Sequence, residues 1–167
     1  MCIRDRSDLA LQRYLDAEKI YNRSKKQPVP AIIYQRQASL FLQKQKTEKA
    51  RSLYKLCIEK SQDRSLTISC QEGIASAALA SGQNEESLDQ LDYVQNNYSP
   101  LDSSSVTRVE ALRSQNYSQQ KRTDKAQESY YNSIKNLPEA EQAANTISEV
   151  KKAKEELLDN NCLFIHI

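Results

Sequence analysis

Glycine is nearly missing from this chain, with two among 167 residues, alongside four prolines and no tryptophan. A β-rich or α/β fold needs many tight turns, and glycine is the usual residue where the backbone must take a positive φ. That scarcity excludes both classes. Long apolar runs are absent too: the longest strongly apolar run is Ala31 to Tyr34, far below the roughly 20 residues of a membrane span. No stretch combines a charged start, an apolar middle and a small-residue cleavage site as a signal peptide does. Histidine occurs once, as His166 in an end segment expected to be foreign; without it there is no histidine base for a triad and no ligand set for the usual zinc site. Neither glycine, Gly73 or Gly82, sits in a phosphate-cradling glycine-rich string. The expectation is a protein that is not an enzyme and has no cofactor and no metal.

What the chain does contain suits helices. Gln, Lys, Glu, Ala, Leu and Ser dominate, hydrophobic residues are 38% of the total, and the mean hydropathy is −0.77. Helical periodicity predicts blocks over about 8–25, 31–44, 47–60, 65–81, 85–96, 102–117 and 124–136, then a charged block over 139–159. Prolines at 28, 30, 100 and 138 break the pattern, and Gly82 takes a plausible position just past a helix end. Asp102 to Ser105 offers N-caps. Glu85 and Glu86 are explained by the positive end of a helix dipole.

Blocks of this length in pairs invite a search for repeats. Ala17, Ala50, Ser87 and Ala126 are small residues early in every second helix. Four positions on stand the large residues Tyr21, Tyr54, Leu91 and Tyr130, and three further stand Ser24, Cys57, Val94 and Ser133. This spacing puts all three on one helix face. Ala38 and Ala75 precede Ala50 and Ser87 by twelve residues, and Phe41, Ala78 and Tyr117 precede Ala50, Ser87 and Ala126 by nine.

On those residues the chain resembles the tetratricopeptide repeat family. The clearest match carries Tyr34, Ala38, Phe41, Ala50, Tyr54 and Cys57 at the pattern positions. The run from Ser81 to Leu88 looks like the family's inter-helix turn. The resemblance implies an all-α solenoid of antiparallel helix-turn-helix repeats at 31–62, 65–100 and 102–138, preceded by a partial repeat at 8–28. A charged helix at 139–161 would follow. The repeat spacings of 33, 37 and 39 residues are uneven, Ser114 replaces the small residue equivalent to Ala38, and Glu110 stands where Tyr34 does.

In such repeats the first helices line a concave groove. Carried over by register, the groove residues are Gln35, Ser39 and Gln43, then Glu72, Ser76 and Ala80, then Arg108, Ala111 and Gln115. The groove is expected to be polar, amide-rich and nearly uncharged. Family members that clamp acidic chaperone tails use Lys, Asn and Arg there, and Gln35 and Ser39 do not fit that pattern. The implied function is a non-catalytic scaffold that binds a partner protein or extended peptide. A composition rich in Gln, Ser, Asn and Tyr is similar to arrays of the bacterial cell envelope. The alternative is a regulatory repeat region of a larger enzyme or transcription regulator.

Charge is segregated along the chain. Residues 18–60 carry eleven basic residues against three acids, and residues 63–102 carry seven acids against one arginine. A solvated outer face accounts for much of this, and a dipolar surface that orients a partner is the functional reading. Nucleic acid is the weaker reading because net charge is only +2. Cys57 and Cys70 are expected to be buried thiols, since sequence cannot show two Cα atoms close enough for a disulfide. The strings at Asn22 and Asn116 that match a glycosylation acceptor fall inside expected helices.

The ends have a separate character. Residues 1–6 are what the mosaic end of a sequencing-library transposase adapter encodes in frame, and residues 162–167 resemble its reverse complement with one inserted base. Both are expected to be foreign, making the remainder an internal fragment. Compartment and oligomeric state are not legible in it.

Overall fold

The computed structural model describes residues 3–24 and 27–135, and all statements of absence below refer to these. The expected block 139–159, the expected breaks at Pro138 and the end segment 162–167 lie outside them. The described chain is all-α. Seven helices follow in order: α1 (Ile3–Ser24), α2 (Ala31–Gln43), α3 (Thr47–Lys60), α4 (Arg64–Ala80), α5 (Asn84–Asn97), α6 (Ser103–Gln119) and α7 (Thr123–Ile134). The first begins earlier than the periodicity predicts, at Ile3 instead of about Asp8. Asp63 and Asp102 cap α4 and α6, each accepting from backbone N–H groups of the first turn.

Helices α2/α3, α4/α5 and α6/α7 form three antiparallel hairpins, and each helix packs on its sequence neighbours. First helices also touch in series, α2 on α4 and α4 on α6. The three turns are alike. Gln45, Gly82 and Lys121 adopt positive φ of 57°, 74° and 58°, each five residues before the small residue of its second helix. The next N–H in each turn reaches back to the carbonyl of Phe41, Ala78 or Tyr117, at 2.9 Å in all three cases. This is the glycine-favouring helix stop in which the second residue past the end closes on the last turn. Only the middle hairpin supplies glycine for it.

Small residues set the approach of the two helices in each hairpin. Ala38 and Ala50 are fully buried in one cluster. In the middle hairpin the Ser87 hydroxyl donates to the Ala75 carbonyl at 2.8 Å, and in the last the Ser114 hydroxyl donates to the Ala126 carbonyl at 2.9 Å. The serine has changed sides of the same crossing. Ser114 is therefore a small residue that bonds across the seam, which accounts for its departure from alanine. The aromatic position nine residues before each crossing behaves in parallel. Lys49 lies over Phe41 at 4.3 Å and Lys125 over Tyr117 at 5.7 Å, both lysines just preceding the crossing residue. Ala78 offers no ring, and the equivalent of the lysine is Glu86, which pairs instead with Arg51 of α3.

Between hairpins, α3 and α4 run antiparallel with Tyr54 facing Gly73 and Cys57 facing Cys70. A Cβ on Gly73 would fall 2.4 Å from the Tyr54 ring, so only glycine admits the tyrosine there. Cys57 and Cys70 are joined in a disulfide, with Cα atoms 6.4 Å apart, which corrects the expectation of two free buried thiols. The small-residue seam brings these backbones within bonding reach, a distance that no spacing along the sequence reveals. Equivalent positions in the α5–α6 seam are Leu91 with Leu112 and Val94 with Val109, all packed in one cluster. A large ring over glycine in one seam becomes two leucines in the other, and a disulfide becomes two valines.

Asn116 is fully buried, donating to Ser87 Oγ at 3.0 Å and to the Leu112 carbonyl at 2.9 Å, and so is closed to glycosylation. Tyr54 is buried as expected of a packing residue, whereas Tyr21, Tyr34 and Tyr130 are partly exposed. Ala17 is likewise partly exposed, beside Tyr14 and Leu9 on α1.

Two outcomes follow from this register. Replacing Gln45 or Lys121 by glycine should stabilise by about 0.5–1 kcal/mol each, because the left-handed backbone costs an L-residue more than glycine loses on folding. Urea denaturation of the single variants would show midpoints rising, with Gly82→Ala moving the other way. The second outcome concerns the bridge. Cys57→Val/Cys70→Val should fold with helix content intact and lose at most about 3 kcal/mol, the chain-entropy value for so short a loop. Circular dichroism showing loss of helix in that double variant would rule out the equivalence with Val94 and Val109.

Candidate functional site

The layer of first helices encloses a concavity of about 350 Å³ bordered by Gln35, Ser39, Tyr54, Ser69, Glu72, Gly73, Ser76, Arg108, Ala111 and Leu112. Six of the nine groove residues carried over from the register meet here: Gln35, Ser39, Glu72, Ser76, Arg108 and Ala111. The other three, Gln43, Ala80 and Gln115, are exposed and do not line it. Gly73 and Tyr54 had no place in the expected groove. Their signal was available only as an antiparallel count, since a glycine opposite a tyrosine lets the ring drop and opens space beside it.

Neighbouring first helices are joined by one contact made twice. Gln35 Nε2 donates to Ser69 Oγ at 3.2 Å between α2 and α4. Between α4 and α6 the equivalent residues are Glu72 and Arg108, paired through Arg108 Nε at 2.6 Å and Nη2 at 3.3 Å. The two charged residues of the expected groove are thus paired with each other. Its two partners differ in exposure, with the Glu72 side chain 6% exposed and that of Arg108 44%. Arg108 is also held by the hydroxyls of Ser104 and of Ser105, the latter at 2.9 Å.

Burial dominates the carboxyl of Glu72 and raises its pKa above the ordinary value, although the Arg108 hydrogen bonds and charge pull the other way. Asp102 adds a smaller push in the same direction as burial. Burial also raises the Tyr54 phenol, with nearby Ser39 acting in the opposite direction. At Gln35 the amide oxygen is buried and receives no hydrogen bond. The Ser76 hydroxyl donates to the backbone carbonyl of Glu72 at 2.9 Å.

Chemically this is a mixed polar surface. It holds one carboxylate, one guanidinium, an amide and several hydroxyls, without a nucleophile–base pair. Among the described residues no group of three or more His, Cys, Asp or Glu could hold a metal ion, and no helix is long and apolar enough to cross a membrane.

The raised pKa has a sign that can be checked. A folded-state value above the unfolded one means folding takes up a proton, so stability from this group is fully present below the unfolded pKa and is lost as pH rises through the folded one. Glu72→Gln should therefore gain urea stability over the wild type at pH 7 and lose that advantage near pH 4. A variant less stable at pH 7 than at pH 4, relative to wild type, would mean that the Arg108 pair outweighs burial.

Comparison with protein-family models finds no family that matches this sequence, and comparison with curated proteins and with solved structures finds no match either.

Proposed function

We propose that the chain is a tetratricopeptide-like α-solenoid acting as a non-catalytic interaction scaffold, with an extended peptide or partner segment bound along its first helices. The observation that carries this reading is the concavity itself, which draws on all three hairpins at once. Residues from α2, α4 and α6 contribute at corresponding register positions, so a segment crossing the helices meets the same kind of contact at each hairpin. Support for a repeat arrangement comes from the three equal turns, the crossing serines and the twice-made contact between first helices. Stacked units of this kind present extended concave surfaces as a consequence of their geometry.

The buried bridge between Cys57 and Cys70 favours an oxidising compartment, because such bonds persist outside the reducing cytosol. This agrees with a place in the bacterial cell envelope, the compartment to which the composition is similar.

The reading is tested by panning a displayed random-peptide library on the purified wild type. Selected peptides should lose at least tenfold in affinity, about 1.4 kcal/mol, on Ser76→Arg, which fills the concavity. They should be indifferent to Ser52→Arg on the exposed face of α3. Peptides sensitive to the second variant and blind to the first would place binding on another face.

A further inference from the structure

The polar atoms around the concavity are unequally matched. Arg108 has five N–H groups, and four are engaged: two with Glu72, one with Ser104 and one with Ser105. The acceptors are left in excess. A carboxylate offers about four lone-pair sites, and Arg108 fills two of those on Glu72. Gln35 Oε1 accepts from nothing. Ser76 has given its proton to a backbone carbonyl and keeps its lone pairs. A buried acceptor without a donor costs about 1–3 kcal/mol, so a ligand that supplies N–H groups here recovers what folding left unsatisfied.

Charge points the same way. The carboxylate on the wall is nearly buried and only partly compensated, as its raised pKa indicates. Helices α4 and α5, which carry the middle hairpin, belong to the acidic stretch 63–102. Three of its acids, Glu72, Glu86 and Asp92, pair with arginines of the flanking hairpins, leaving no surplus cation on this wall beyond Arg108.

We infer that the concavity receives a lysine or arginine side chain of the bound segment, whose N–H groups are taken by the Glu72 carboxylate on the wall that Gln35 also lines. This rests on the groove reading above and adds the chemistry of its ligand. An acidic side chain is disfavoured, because it would meet Glu72 and find only one unengaged N–H on Arg108.

The test uses the ¹⁵N-labelled full chain and Gly-Ser decapeptides with a central lysine, arginine, norleucine or glutamate, plus 1,5-diaminopentane as a free amine. Chemical shifts of the Gln35 side-chain amide and the Gly73 N–H report on the site. The lysine or arginine peptide should move both signals and bind at least tenfold more tightly than the norleucine and glutamate peptides. Glu72→Gln, its fold checked by urea denaturation, should abolish that preference. Equal binding of all four peptides at these signals, or preference for glutamate, overturns the cation assignment and leaves the groove reading standing. Shifts from the diamine with none from any peptide overturn the peptide groove. Preference for lysine that survives Glu72→Gln overturns the role given to that carboxylate.

Discussion

Close approach of two helices through small residues is the constraint from which the rest follows. Where Ala38 meets Ala50, Ala75 meets Ser87 and Ser114 meets Ala126, nothing larger than a hydroxymethyl separates the backbones. A connection across so small a gap must reverse within a few residues, which forces a left-handed residue just past each first helix. Two of the three such positions hold Gln45 and Lys121, so the crossing imposes the turn even against the local preference of the side chain. Serine fits the crossing because its hydroxyl reaches the opposing carbonyl. The bond comes from either helix, which shows that the requirement is for small volume and not for a particular donor.

The seams between hairpins tolerate more variety. Tyr54 on Gly73 and Leu91 beside Leu112 fill similar positions with different divisions of volume. Core positions of this kind accept exchange when total volume is kept. The choice made in the first seam has a consequence for the surface. A tyrosine ring over a glycine borders the concavity, together with Ser39. Two leucines would present only methyl groups. The wall of the proposed groove is thus set by a packing decision in the interior, and the disulfide one helical turn away holds the same two helices together.

How much of this the sequence disclosed can be judged residue by residue. The hairpins and their register were legible because the small, large, small pattern falls on one helix face and recurs. Helix ends were legible to within a few residues at Pro30, Gly82 and Asp102, whereas the cap at Asp63 was not singled out. The bridge was not, since Cys57 and Cys70 are 13 residues apart on different helices and only the antiparallel fit brings them together. Six of the residues expected in the groove border the concavity, but register says which way a residue faces and not how deep it sits. Glu72 faces the first-helix layer as expected and is nonetheless buried, because Gly73 beside it contributes no side chain and Arg108 of the next hairpin closes over it. Gln43, Ala80 and Gln115 share its direction and lie beyond the enclosed part.

The comparison of Gln35–Ser69 with Glu72–Arg108 separates structural need from something more. The neutral pair joins α2 to α4 with one hydrogen bond and buries no charge. The charged pair does the same work between α4 and α6 while burying a carboxylate whose solvation is not fully replaced. Removing one partner of a buried ion pair is harmful when the remaining charge is stranded, but Arg108 is nearly half exposed and keeps its serine contacts. If holding two helices together were the whole demand, a glutamine at position 72 would meet it more cheaply, as Gln35 shows. Polar groups kept at a cost to stability are characteristic of binding sites, which must stay unsatisfied until the ligand arrives. On that argument the proposed ligand, and not the joining of α4 to α6, accounts for a carboxylate at Glu72.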